Sequence, residues 1–302
     1  MSTLAAPGGG IAGAKPGWRT ALGWDGTTLL VLPAVLFVFA FFIFPCIYGL
    51  ALSFMPTKGG AFDNYIRFFT EERFYSTIWK TLLIALPATT ANVFLALPIA
   101  FALRKSSKFQ RVVTAVLVVP ITLGTVLVAQ GLLGYLGPNG WFIRILHMLH
   151  LVDGPIRLTH NYIGVLLSLI ITGFPFSFLL TLSYVTGIDP MLAKAAATLG
   201  ASPWTQFKQI YLPLLAPGLA MGFCLAFVQS FAVFPSAVLL GEPAGATRVM
   251  ALAVYQLAYE DYNAPMAAAG AMVMGVVQLI VVACILGFRS LFYRGPVGGT
   301  KG

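Results

Sequence analysis

Charge is what this chain has least of. Only 9% of its 302 residues are charged and 59% are hydrophobic, whereas a soluble globule carries roughly 25% charged residues. The deficit runs along the whole chain. It excludes an ordinary water-soluble domain and points to an integral membrane protein. The apolar runs are long and unbroken rather than alternating segments of about 10 residues, so helices are favoured over a barrel. Cysteine is scarce too. Cys46, Cys224 and Cys284 each lie inside an apolar run without metal-ligand spacing, so neither a disulfide framework nor a metal site is implied. The phosphate-binding pattern G-x-x-x-x-G-K-[ST] is missing, and the GGTKG tail at 298–302 has no strand–helix context. The central parts of the apolar runs hold no acidic or basic residue, which removes the usual marker of an intramembrane site. No repeat of 20–50 residues is visible.

What is present is a set of six apolar runs, at 28–50, 81–103, 112–135, 162–185, 214–239 and 265–286. Each is near the ~20 residues that cross ~30 Å of hydrocarbon. The expected fold class is an all-α membrane protein with six transmembrane helices. Residues 1–27 read as a flexible Gly/Ala/Pro-rich tail rather than a signal peptide, 28–289 as the membrane domain and 290–302 as a second tail. The first apolar run then serves as an uncleaved signal anchor. With both termini in the cytoplasm, the inside segments carry Lys15, Arg19, Arg104, Lys105, Lys108, Arg111, Lys194, Lys208, Arg289, Arg294 and Lys301 against only Asp25 and Asp189. The outside segments balance Lys58, Arg67, Arg73, Lys80, Arg144, Arg157 and Arg248 against Asp63, Glu71, Glu72, Asp153, Glu242, Glu260 and Asp261. The whole net charge of +9 therefore falls on one side, as the positive-inside rule requires. The basic balance reports topology, not a nucleic-acid groove. Stretches 62–76, 141–151 and 255–262 are aromatic and amphipathic, suited to lie at the interface or to share a surface with a soluble partner.

The polar stretch 194–213, KAAATLGASPWTQFKQIYLP, separates two apolar runs. Asp189-Pro190 is a cap followed by a first-position proline, so a short helix over 190–199 is expected, with a small face at Ala195, Ala196 and Ala197. Gly200 ends it. Ser202-Pro203 repeats the signal for a second short helix over 203–210, with Trp204, Phe207 and Ile210 spaced for one apolar face. Leu212-Pro213 is expected to end that helix and turn the chain into the next span. On the residues alone, this element is also suited to be a linker lying on the membrane.

The order Ala195-Ala196, Gly200, then Ile210-x-Leu212-Pro213 resembles the cytoplasmic coupling loop of ATP-binding-cassette importer permeases, and the resemblance extends over the six spans. LVDGPI at 151–156 and residues 188–202 look like the spermidine/putrescine subgroup. The resemblance implies a type I importer permease fold and a subunit without nucleotide site or enzymatic activity of its own. It implies no cofactor on this chain, with ATP and Mg held by two partner ATPase subunits. A second permease, a periplasmic solute-binding protein and the inner-membrane bilayer complete the partners, with no nucleic acid. The loop 189–213, with Lys194, Ala195, Ala196, Gly200, Trp204, Phe207, Ile210, Leu212 and Pro213, would dock on the ATPase. Lys194 stands where the family usually has Glu, so a compensating acidic group on the ATPase is expected. The implied solute is a polyamine, with a phosphonate or another small zwitterion as the alternative.

For the translocation path, the candidates are Asn92, Gln130, Phe174, Phe176, Gln229, Phe231 and Phe234. Buried amides need partners or water, prolines at 87, 98, 120, 175 and 235 loosen their helices, and aromatic faces attract cationic amines. Helix–helix hydrogen bonding and ordinary aromatic packing are the competing roles. Gly218-x-x-x-Gly222 and Ala271-x-x-x-Gly275 allow close helix contact. Two other classes compete with the importer subunit. A self-sufficient secondary transporter normally needs a coupling carboxylate within a span. An intramembrane metalloenzyme would have to use His147 and His150, which are spaced as an i, i+3 pair on the 141–151 helix.

Overall fold

The computed structural model describes residues 26–56, 59–105, 107–151 and 158–292. The tail at 1–25, residues 152–157 of the LVDGPI stretch and the end from 293 lie outside them. Among the described residues all regular structure is helical, and six segments are long and apolar enough to cross a membrane.

The chain divides into two compact units after Ala51. The first consists of α1 (Gly26–Val38), a π-helical turn Phe39–Ile43 and most of α2 (Phe44–Ser53). Leu30–Ser53 is one apolar span of mean hydropathy 2.8. The π-turn closes with the Phe44 N–H on the Phe39 carbonyl, one residue before Pro45. Proline lacks an N–H and its ring crowds the carbonyl one turn back. A widened turn makes room for it without ending the helix.

The second unit begins with α3 (Asp63–Thr70) and α4 (Glu72–Ala102), hinged at Glu71, whose backbone is extended. The expected interfacial stretch 62–76 is therefore split, and its last residues form the first turn of the second span. That span starts nine residues earlier than the apolar run implied. Glu71 explains the break: its carboxylate receives Arg67 Nε at 3.1 Å and Arg73 Nε at 2.9 Å, tying both helices to the corner. Then come α5 (Lys108–Leu136), α6 (Trp141–Met148) and α7 (Tyr162–Thr186). The helix expected over 141–151 stops at Met148, and His150 follows in the left-handed region (φ 52°). His147 and His150 are thus not a pair on one helix.

Next are α8 (Pro190–Thr198), α9 (Pro203–Gln206), a π-turn Phe207–Tyr211, α10 (Leu212–Phe231) and α11 (Pro235–Leu239). After α12 (Met250–Tyr255) and a third π-turn, Gln256–Glu260, α13 (Ala264–Phe292) closes the fold. The fifth span had been expected at 214–239. It runs instead from Pro203 to Phe231 as one apolar helical segment, and Ala232–Phe234 break it. Phe234 precedes Pro235, whose ring disfavours the helical conformation at the residue before it, and its backbone is indeed non-helical.

The core of this unit is built around the pairing of α4 with α7, joined by α10. Phe68, Phe74, Phe227, Phe231, Met250 and Met266 form one buried cluster. Ile84, Ala88, Val165, Leu169 and Ala237 form a second. Close approach is set by small residues. A Cβ on Gly173 would run into Asn92 Nδ2, and one on Gly218 would come within 2.6–2.7 Å of the Tyr184 ring. The Gly218–Gly222 stripe therefore packs α10 on α7, whereas a Cβ at Gly275 would meet nothing.

Candidate functional site

The segment between α7 and α10 is shaped by local chemistry. Asp189 caps α8 by accepting from the Met191 N–H at 2.8 Å, with Pro190 in the first turn. At the other end, the Ala201 N–H bonds to the Ala196 carbonyl and the Gly200 N–H to the Ala197 carbonyl, both at 3.0 Å. This pair of bonds is a Schellman motif, and it requires Gly200 in the left-handed region, where its φ is 83°. Ser202 then caps the next helix by accepting from the Thr205 N–H at 3.2 Å. Gln206 Nε2 ties back to the Ala201 carbonyl at 2.9 Å. The first helix, the glycine break and the start of the second helix stand where the residues placed them.

The second helix does not end at Leu212-Pro213. It continues straight into α10 through the π-turn, where the Leu212 N–H reaches the Phe207 carbonyl one residue before Pro213. The widened turn absorbs the proline, as in the first span. It also rotates the apolar face. Tyr211 is buried, Phe207 and Ile210 are only half-buried, and Trp204 is exposed, stacked on Phe207 at 5.6 Å. Phe101, at the end of α4, meets both Phe207 and Tyr211 at 4.9 Å between ring centres. The loop is thereby docked on the second span. On α8, Ala193 packs on the cluster of Val185, Tyr211 and Leu215. Ala195, Ala197 and Gly200 are exposed, and Leu199 is 89% exposed at the tip.

Between α8 and the ends of α4 and α7 lies a concavity of about 330 Å³, lined by Arg104, Lys105 and Lys194 together with Thr186, Ile188 and Tyr211 among others. Arg104 is pinned on its wall. Its guanidinium carbon sits 4.0 Å over the Phe101 ring and 5.6 Å from the Tyr211 ring centre, and Nη1 donates to the Phe101 carbonyl at 2.8 Å. Arg104 and Lys105 carry no signal in the sequence beyond a topology charge, since only the fold brings them to Lys194.

The path candidates are not gathered into one cavity. Asn92 is fully buried in α4, donates to the Leu169 carbonyl of α7 at 3.2 Å, and leaves Oδ1 without a protein partner, as Ser177 Oγ is left. Phe174 lines an apolar groove with Leu117, Pro120 and Pro175 and stacks on Phe178. Phe176 is half-buried, and Gln130 and Gln229 are exposed. Phe231 is wholly buried against Phe227, and Phe234 packs on Tyr255 at 4.9 Å. Gly124 interrupts α5 with φ 75° and ψ 163°, a break inside an otherwise continuous apolar run. Among the described residues no three His, Cys, Asp or Glu side chains are grouped as metal ligands.

Residues 92–288 match the family of binding-protein-dependent transport system inner membrane components. The chain belongs to this family. It is a permease subunit, not an ATPase, and a multi-pass inner-membrane protein. It is 27% identical over 209 residues to the spermidine/putrescine transport system permease protein PotB of Haemophilus influenzae, covering 67% of this chain and 73% of the relative. It is 26% identical over 275 residues to the sulfate transport system permease protein CysT of Escherichia coli, covering 90% of this chain and 96% of the relative. Among solved structures, a bacterial alginate importer in complex with its pentasaccharide-bound periplasmic protein superposes with a TM-score of 0.78 at 21% identity, covering 92% of the permease and 99% of that chain. The inward-facing methionine transporter MetNI gives 0.57 at 16% identity, covering 73% and 96%. These structures share the type I importer permease fold.

Proposed function

We propose that this permease works with a separate ATPase, a second permease and a periplasmic binding protein, and that segment 189–213 is the element through which ATPase closure reaches the spans. The observation that carries this reading is the Schellman-terminated α8. It presents an exposed small-residue surface at Ala195, Ala197 and Gly200, while Phe207 and Tyr211 anchor the same segment to Phe101. A rigid lever needs both features, a face that a partner approaches closely and a packed connection to the membrane helices. Both termini then lie in the cytoplasm, in line with the charge asymmetry. ATP and Mg belong to the ATPase partners.

The solute we infer is a polyamine. Support comes from the PotB relatives and from the aromatic side chains Phe174, Phe176, Phe234 and Tyr255, which suit cationic amines, with no basic residue in the central parts of the spans to repel them. A sulfate-like oxyanion is the second reading, favoured by the longer match to CysT and by central span regions equally free of carboxylates. The deciding experiment measures ATPase activity of the purified assembly in lipid with binding protein loaded with spermidine, putrescine, sulfate or a phosphonate. Stimulation by one loaded form names the solute class, and Gly200→Trp is expected to reduce it to the unstimulated level. Stimulation unaffected by Gly200→Trp, or transport by this chain with no ATPase attached, overturns the coupling role of the loop.

A further inference from the structure

We propose that the basic concavity of Arg104, Lys105 and Lys194 binds the phosphate headgroup of an anionic phospholipid, and that this headgroup tethers α8 to the ends of the second and fourth spans. The charge pattern is one-sided. The lining holds three cations and no carboxylate. None of the three forms an ion pair among the described residues. The one acid near by in sequence, Asp189, caps α8 on the Met191 N–H and is neither in the lining nor ion-paired to the three cations. Lys105 and Lys194 are exposed and Arg104 is half-buried, so all three remain open to an anion entering the hollow, which would meet the attraction of three cations together.

The position of the hollow favours a lipid. Arg104 and Lys105 follow Ala102, the last helical residue of α4, and Thr186 is the last residue of α7. The site therefore lies where the hydrocarbon-spanning length ends, at headgroup depth, with Phe101 and Tyr211 as the aromatic neighbours usual at that level. Basic pockets between span ends at this level suit phosphate-bearing headgroups. Arg104 is pre-oriented by its rings and by the Phe101 carbonyl, so little freedom is lost when it meets a phosphate. An acidic side chain of the ATPase is the competing occupant. It is disfavoured because Lys194 lines the hollow beside Ala193, which packs towards Val185 and Tyr211. The protruding tip of the segment is Leu199. Lys194 borders the hollow, five residues before that tip. The tethering role rests on the coupling role of segment 189–213; the binding site itself does not.

The test is native mass spectrometry of the purified assembly, released from membranes containing phosphatidylglycerol and cardiolipin. It compares wild type with the combined variant Arg104→Gln, Lys105→Gln, Lys194→Gln. Wild type is expected to keep at least one anionic lipid that the variant loses. In discs of phosphatidylcholine, added phosphatidylglycerol is expected to raise coupled ATPase activity severalfold in wild type and not in the variant. Equal lipid retention by the two proteins overturns the proposal. So does displacement of the retained lipid by millimolar inorganic phosphate, which identifies a free-anion site. Loss of the ATPase subunit from the variant with lipid retention unchanged assigns the hollow to an acidic protein partner instead. If the combined variant does not assemble, Lys105→Gln alone, with Lys105→Arg as the charge-preserving control, carries the same lipid comparison. Failure of any ATPase to co-purify would undo the proposed function while leaving the lipid count on the permease to decide the site.

Discussion

At one end of the spans, around residues 63–80 and 242–263, the basic side chains find partners within the chain. Arg67 and Arg73 share Glu71, Arg248 donates to Gln256 Oε1 at 2.9 Å and to the Arg73 carbonyl at 3.1 Å, and Lys80 reaches the Gly245 carbonyl at 3.0 Å. At the other end, Lys105, Lys194 and Lys208 make no hydrogen bond or ion pair within the described residues, and Arg104 donates only to a backbone carbonyl. The first end uses its cations internally to hold helices together, while Glu72, Glu260 and Asp261 stay exposed. The second end is built of capped, well-formed segments whose charges are left over. Local order without local charge satisfaction is the mark of a surface that is completed by something else, here headgroups and a soluble partner.

Three substitutions separate the two ends, beginning with the one that affects both. Gly173→Ala places a methyl group against Asn92, where α4 and α7 cross midway between the ends. Overpacking of this kind costs about 1–3 kcal/mol. Thermal unfolding in detergent should show a lower midpoint, with hydrogen exchange raised at both ends alike. An effect confined to one end would mean that the two are not joined through the α4–α7 pair.

Asp189→Ala removes the cap of α8 and should cost that helix about 1 kcal/mol. Exchange should rise over residues 190–199 while the Glu71 corner stays as protected as before. An unchanged α8 would show that the Schellman end and the packing of Ala193 suffice to hold it.

The smallest effect is expected from Glu71→Gln, below about 1 kcal/mol, since the pair is partly solvated. Here burial pushes the Glu71 carboxyl up, but hydrogen bonds and charge from Arg67 and Arg73 outweigh it and hold it below its ordinary value of 4.5. A carboxylate whose pKa is lowered on folding stabilises the fold above the unfolded value, and that contribution is lost as pH falls through the lowered one. Wild type should therefore lose protection of the α3–α4 corner only below pH 4.5, and Glu71→Gln should flatten that dependence. Exchange measured from pH 6 down to 3 checks it, with α10 as the internal control because neither it nor the π-turn before it holds an Asp, Glu or His.

Much of the loop was legible in the sequence because its signals are local. Asp189-Pro190, Gly200 and Ser202-Pro203 act through hydrogen bonds and dihedral limits within a few residues, and each stands where those limits put it. The six apolar runs were legible for the same kind of reason, since length and hydropathy suffice to cross hydrocarbon. The misplacements share another cause. Leu212-Pro213 and Pro235 carry the same local signal, yet the first is absorbed by a π-turn and the second breaks its helix. At Leu212-Pro213 the packing of Phe207 and Tyr211 on Phe101 accompanies an unbroken helix. The start of α4 was missed because Glu71 acts through Arg67 and Arg73, not through its own propensity.

Residue order by itself determined that this is a six-span helical membrane protein with a capped, glycine-broken segment between its fourth and fifth spans, because periodicity, caps and apolar length are properties of neighbours in the chain. Only the tertiary structure decided that Asn92 locks α4 to α7, that Tyr211 rather than Ile210 anchors the segment, and that Arg104 and Lys105 meet Lys194 around one hollow. Those pairings join residues about 80 to 110 positions apart; they depend on which helix faces which, and no local propensity carries that information.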